Sequence, residues 1–185
     1  MPDPRTDRRV VITGLGAVTP LGTGASPLWQ GLVDGASGIR HISSFDPSKL
    51  RCRSAGEVPD FDPSAVLGPK LVRRTERYTQ LALVAALEAM ADAGLPGHIE
   101  GREAERTGIY IGSGLGGNGT LVDQIAAWST RGPEHVSPFF IPMAIANMAA
   151  AQAAIHTGAL GPNLSTTSAC ASSGHSIGEA AEVIL

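Results

Sequence analysis

From His135 to Gly178 the chain carries no Asp, Glu, Lys or Arg. A surface turned to water normally bears charge, so a run this long must lie mostly in an interior or an interface. Within it, Pro142–Thr157 reads as an Ala-rich helix, Asn163–Ser168 as a strand and Ala171–Leu185 as a second helix. Small residues along both helices allow close packing. The last residues, Ala180–Leu185, are still apolar and lack any stop signal, which reads as a chain cut in mid-domain.

The rest of the chain alternates strands and helices. Arg9–Thr13 is a β-branched run expected to form a buried first strand, with Gly14-Leu15-Gly16 turning at its end. Ser26-Pro27 is expected to open a short helix that Gly35 stops. Gly38–Gly68 reads as an irregular excursion rich in Asp-Pro and Pro-Asp turn signals. Lys70–Ala93 has apolar residues at helical spacing and Gly94 as its C′ residue. Thr107–Ile111 is the next strand, followed by the glycine-rich run Gly112–Gly119 and a helix over Leu121–Trp128. That order predicts an α/β fold with a mostly parallel sheet.

Composition excludes several classes. The chain has 185 residues, 43% hydrophobic and 17% charged, with a net charge of −3, so it is neither disordered nor broadly basic. A pI near 5.9 gives no general field for nucleic acid. Twenty-three glycines and 13 prolines imply many tight turns and close backbone approaches. Cys52 and Cys170 make neither a disulfide framework nor a metal-type spacing, and a reducing cytoplasm is the expected compartment. Asp3 and Asp7, with Gly14, Gly16 and Pro20, argue against a signal peptide in the first 21 residues. No apolar run reaches the length of a membrane span.

Chemistry concentrates at Ser168-Ala169-Cys170-Ala171-Ser172. A thiol where a strand meets a helix feels the positive end of the peptide dipoles, which favours thiolate, and the unpaired N–H groups there can bind an oxyanion. Pattern alone leaves two readings open, a nucleophile or a buried structural cysteine. His175, five residues on, sits about 140° round a helix from Cys170 and is expected to be structural. Cys52, between Arg51 and Arg53, has the flanking charge to lower its pKa but reads as a surface residue. Lys70, Arg73, Arg74 and Arg77 form a basic cluster on two helical turns, with Lys70, Arg73 and Arg77 expected to share one face and Arg74 beside them, at a helix start where cations are unfavourable without an anionic partner. Gly112-Ser113-Gly114-Leu115-Gly116-Gly117 satisfies G-x-G-x-x-G, a weak dinucleotide signal on its own.

Several segments in order carry a resemblance: Arg8–Gly22 (RRVVITGLGAVTPLG), GIR at Gly38 and FD at Phe45, Ile111–Gly117 (IGSGLGG), Ser137–Pro142 (SPFFIP) and Ser168–Ala180 (SACASSGHSIGEA). Together they resemble the N-terminal half of β-ketoacyl-[acyl-carrier-protein] synthases of the elongating, FabF-like kind, in the thiolase superfamily. The likeness covers the whole chain, residues 1–185, as one domain. It implies an α/β fold, a thiolase-like layered αβαβα sandwich of which this is the N-terminal half. It also implies a decarboxylative Claisen condensation through an acyl-cysteine, with Cys170 as nucleophile and its N–H as an oxyanion donor. By the same resemblance, Leu115 gates the acyl pocket, and Phe140 and Ile141 reach toward a partner subunit in a homodimer. Lys70, Arg73 and Arg74 would dock the acidic acyl-carrier protein. No cofactor is implied. The family's two catalytic histidines and lysine belong to its C-terminal half; His41, His98, His135, His156 and His175 match none of them. The alternatives are a non-catalytic or split half that binds the carrier or a partner chain, a type II polyketide ketosynthase, and a dinucleotide-binding module.

Overall fold

The computed structural model describes residues 9–185; Asp3 and Asp7, used above, lie outside them. In chain order the elements are β1 (Val18–Thr19), β2 (Gly22–Thr23), α1 (Ala25–Val33), β3 (Arg40–His41), β4 (Ser54–Ala55), α2 (Ser64–Val72) and α3 (Arg77–Asp92). Then come α4 (Gly101–Arg106), β5 (Ile109–Gly112), α5 (Asn118–Arg131), α6 (Phe140–Ala144), α7 (Met148–Thr157), β6 (Asn163–Thr166) and α8 (Ser172–Ile184). Among the described residues, β1–β2 and β3–β4 are short antiparallel pairs, and only β5–β6 is parallel, with Ile109 opposite Asn163 and Gly112 opposite Thr166. The mostly parallel sheet expected from the sequence is thus one parallel pair among the described residues.

That pair sits between helices. Ile109 and Ile111 pack against a core of Phe61, Leu67, Leu83, Val84 and Ala153 from the α2, α3 and α7 side. Side chains alternate along a strand, so Tyr110 and Gly112 face the other way, toward α8. Gly112 lies so close to α8 that a Cβ there would come within 2.4 Å of the Ser172 carbonyl. The α–β–α layering follows from these two faces. In the uncharged stretch, Ala149, Ala150 and Ala153 of α7 are completely buried, as expected, but Ile155, Leu160 and Ile177 stand about 70% exposed.

Three expected helices differ in ways that matter for the site. Lys70–Ala93 is two helices rather than one: Gly68 adopts φ +74° and kinks α2, and the chain turns between Val72 and Arg77. The turn is built by side chains. Glu76 caps α3 by accepting from Tyr78 N at 2.8 Å, and buried Gln80 donates to the carbonyls of Val72 and Thr75 at 3.0 and 2.7 Å. The Pro142–Thr157 helix is also two, because Ile145 is extended between α6 and α7. Gly24, not Ser26, is the residue before α1, and Pro27 falls in its first turn.

Arg9–Thr13 is not a buried strand. Val11 and Ile12 are 67% and 82% exposed, and residues 9–17 join no sheet among the described residues. Gly14 and Gly16 do not turn; they press the extended chain onto α3, where Cβ atoms would meet the carbonyls of Ala89 and Ala85. Carboxylates of α3 hold the run in place. Asp92 accepts from Leu15 N, and Glu88 from both Ala17 N and Ala25 N, at 2.8–2.9 Å.

Candidate active site

The C-terminal ends of parallel strands are where loops can converge on a ligand, and here two loops do. After β6 the chain passes through a single 3-10 turn, Ala169–Ala171, before α8 begins. Ala169 has φ +52°, the one non-glycine residue with positive φ among those described. Such a conformation stores strain and persists only when the surroundings hold it. They do. Ser172 Oγ accepts from Ser168 N at 2.9 Å and lies 2.7 Å from the Ala169 carbonyl, closing the turn from below. Thr166 Oγ1 donates to the Ser172 carbonyl at 2.7 Å and pairs with Ser176 Oγ at 2.8 Å, tying the end of β6 to the start of α8. Cys170 stands at the crest of this turn, exposed and unbonded to Cys52. In this structure Cys170 is exposed rather than buried.

The second loop is the glycine run after β5. Ser113 N donates to the Thr166 carbonyl, and Ser172 Oγ lies 3.2 Å from the Ser113 carbonyl, so this loop and the cysteine turn share one hydrogen-bonded seam. Beyond it, Gly117 N donates to the Ala144 carbonyl at 2.9 Å, and a Cβ on Gly117 would come within 2.1 Å of the Met143 carbonyl. Ser165 Oγ, within reach of the Ile111 and Ala146 carbonyls, joins the end of α6 to both strands. These glycines are thus explained. The first and last of G-x-G-x-x-G are filled from inside by the chain's own backbone, Ser172 against Gly112 and Met143 against Gly117, while Gly114 has open space beside it.

The structure therefore brings together Cys170, the loop bearing Leu115 and the helix bearing Phe140 and Ile141. Leu115 and Ile141 are 76% and 57% exposed, and Phe140 is half-buried. His175 turns to Ser168, whose Oγ lies 2.7 Å from its Nδ1, in keeping with a structural role. Cys52 is exposed on the β3–β4 hairpin, and hydrogen bonding to Ser54, through its backbone and then its hydroxyl, lowers its thiol pKa; the flanking arginines are not the cause.

The basic cluster is redistributed by the break between α2 and α3. Lys70 lies in the last turn of α2, where a cation suits the dipole, and not at a helix start. Arg73 and Arg74 follow in the turn, and all three are exposed. Arg77 is turned away from them: it donates to the Val58 carbonyl and stacks 5.3 Å over Phe61. Sequence reasoning missed three contacts that hold α6 and its flanks. Arg74 lies 5.3 Å over the ring of Phe139. Tyr78 Oη, whose pKa burial pushes up, donates to the Ile145 carbonyl at 2.5 Å. Gln124 accepts from Ser137 N at 2.6 Å. Nothing in the spacing of these residues announces contacts so distant along the chain. Among the described residues no group of His, Cys, Asp and Glu could hold a metal, and no helix is long and apolar enough to cross a membrane.

Comparison with known proteins agrees with this geometry. The family described as "Beta-ketoacyl synthase, N-terminal domain" matches residues 7–185. A curated 3-oxoacyl-[acyl-carrier-protein] synthase 2 from Coxiella burnetii is 46% identical over 177 residues, covering 96% of this chain and 42% of that protein. The chain thus spans less than half the length of the curated relatives it matches. A solved β-ketoacyl synthase from Burkholderia phymatum superposes with a TM-score of 0.82 at 28% identity, over 96% of this chain and 43% of that one. A type II polyketide synthase complex of a ketosynthase with its acyl-carrier protein shares the fold, with a TM-score of 0.73 at 21% identity over 95% of this chain and 46% of that one.

Proposed function

Because the chain belongs to the β-ketoacyl synthase family, matching its N-terminal domain with the thiolase-like layering of that half, we propose that it is the nucleophile-bearing part of a 3-oxoacyl-[acyl-carrier-protein] synthase. The observation that carries this reading is the exposed Cys170 on a strained turn locked by Ser168, Ser172 and Thr166. Holding a nucleophile at one place and angle before substrate arrives removes orientational entropy from the barrier. In the first half-reaction the Cys170 sulfur forms a bond to the acyl carbonyl carbon, the carrier's C–S bond breaks, and the thiol proton ends on the departing sulfur. The Cys170 N–H would stabilise the oxyanion between those events. In the second, malonyl carrier loses carbon dioxide and its carbanion attacks the acyl carbonyl carbon; the new C–C bond forms as the Cys170 C–S bond breaks, and the departing thiolate takes a proton to restore the thiol, lengthening the chain as in fatty-acid elongation.

Lys70, Arg73 and Arg74 would receive the acidic carrier, supported by their exposure on one connected turn. Leu115, Phe140 and Ile141 would line the acyl path, supported by the seam that joins their segments to the cysteine turn. A homodimer belongs to the same reading: Leu160 and Ile177, about 70% exposed within the uncharged stretch, are apolar surface of the kind a second copy covers. Two free thiols suit a cytoplasmic location.

The test is acyl transfer from acyl-loaded carrier protein, followed by intact mass. A single acyl adduct on the wild type and none on Cys170→Ala is expected; an adduct retained by Cys170→Ala would sink the assignment. A non-catalytic carrier-binding half is the second reading, favoured by a basic surface that does not depend on Cys170. It wins if carrier binding is lost on Arg73→Glu while no adduct forms on the wild type.

A further inference from the structure

Among the contacts that hold α6, three come from side chains of α3, the turn before it and α5. The N-terminal flank of α6 is held by Gln124 on Ser137 N and by the Arg74 guanidinium over Phe139, and its C-terminal end by Tyr78 Oη on the Ile145 carbonyl. Two are neutral hydrogen bonds that an anionic partner leaves alone. The third is not: a guanidinium lying on an aromatic face is attracted by the ring's quadrupole, and the same guanidinium binds a phosphate or carboxylate more strongly and in a different orientation. Arg74 is exposed on the basic turn beside Arg73, so it is open to such a group.

Phe139 is the residue before α6, and the far end of α6 is wedged against Gly116 and Gly117. From those glycines the loop leads back through Ser113 and Ser172 to the turn that carries Cys170. Basic surface and nucleophile are therefore joined through packed and hydrogen-bonded groups, with one charge-sensitive link. We infer that Arg74 is a positioning residue that couples occupancy of the basic turn by an anionic group of the carrier to the setting of α6 and the Gly112–Gly117 loop. With no anion present, Arg74 holds Phe139 and keeps α6 closed down; an arriving anion takes the guanidinium and frees Phe139, so the path beside Cys170 loosens only when a carrier is docked. The inference rests on the ketosynthase reading above.

The experiment compares two acyl donors on the protein as its own gene encodes it. One is the acyl-carrier protein thioester; the other is the same acyl group on N-acetylcysteamine, which is neutral and cannot engage Arg74. Phe139→Leu keeps the bulk and removes the π face. It is expected to raise Cys170 acylation from the neutral donor by about two- to fivefold, the change an exposed cation–π contact can withhold. Acylation from the carrier should stay within about twofold of wild type, and Phe139→Tyr, which restores the ring, should return the neutral-donor rate to normal. Equal change with both donors, or no change with either, overturns the coupling, as does failure of Phe139→Tyr to rescue. Absence of a Cys170 adduct on the wild type from either donor strikes the ketosynthase reading itself, and is seen before any variant is made.

Discussion

Two glycine runs, Gly14–Gly16 and Gly112–Gly117, each press a length of extended chain onto a helix, yet they end in opposite circumstances. At Gly112 the strand has a partner, β6, and the helix it touches is the one that follows the cysteine turn. At Gly16 the chain touches α3 at least as closely, with a Cβ position 1.9 Å from the Ala85 carbonyl, but no strand lies beside it among the described residues. Carboxylates stand in for the missing ladder there, Glu88 and Asp92 taking amides that a neighbouring strand would take. Close approach and pairing are thus separate properties: glycine permits the first, and only a neighbour at the right register supplies the second.

The largest expected effect tests that separation directly. Gly112→Ala drives a methyl into the Ser172 backbone between two elements that cannot both yield, and should cost about 3 kcal/mol or more, read as a fall in urea midpoint with unchanged slope. Gly16→Ala meets a run held to α3 by side-chain carboxylates rather than by a strand ladder, which can shift with the methyl, and should cost only about 1–2 kcal/mol. Equal losses would break the comparison. Next, Glu88→Ala leaves the amides of Ala17 and Ala25 without their acceptor, and a loss of about 1–3 kcal/mol is expected. Hydrogen exchange should show faster exchange at Ala17 and Ala25 and no change along β5; protection lost at Ile111 instead would mean that the two regions open as one unit.

The smallest effect lies between them, on the β3–β4 hairpin. Glu57 accepts from the amides and hydroxyls of Ser43 and Ser44, and these bonds, Ser44's hydroxyl foremost, lower its pKa from 4.5 to about 2. The folded pKa is depressed, so the latch contributes fully above pH 4.5 and is lost as pH falls through about 2. The Ser43 and Ser44 amide resonances should titrate with that midpoint while those of Gly16 and Gly112 do not move with it. A midpoint near 4.5 would mean that the latch is open in solution.

Much of the site was legible before any coordinates. Small residues on both sides of Cys170 marked a turn between strand and helix, and the turn is there because Ser168, Ser172 and Thr166 are close in sequence and can close it locally. Gly94, with φ +71°, ended its helix as expected for the same local reason. The break between Val72 and Arg77 was harder to see, since apolar spacing continues across it and the turn is completed by Gln80, which lies beyond it in the next helix. Arg77 could not be told from Arg73 and Arg74, although it is engaged with Val58 and Phe61.

What the sequence determined by itself is whatever neighbours along the chain can decide: the helical and extended segments, their small-residue junctions, and the uncharged character of the stretch that carries Cys170. Tertiary structure alone decided which segments meet. Whether Val10–Thr13 finds a partner, which helix fills each glycine, and whether Arg74 reaches Phe139 depend on residues tens of positions apart. Local propensity and periodicity act over a few residues, whereas these contacts exist only once the layers have packed.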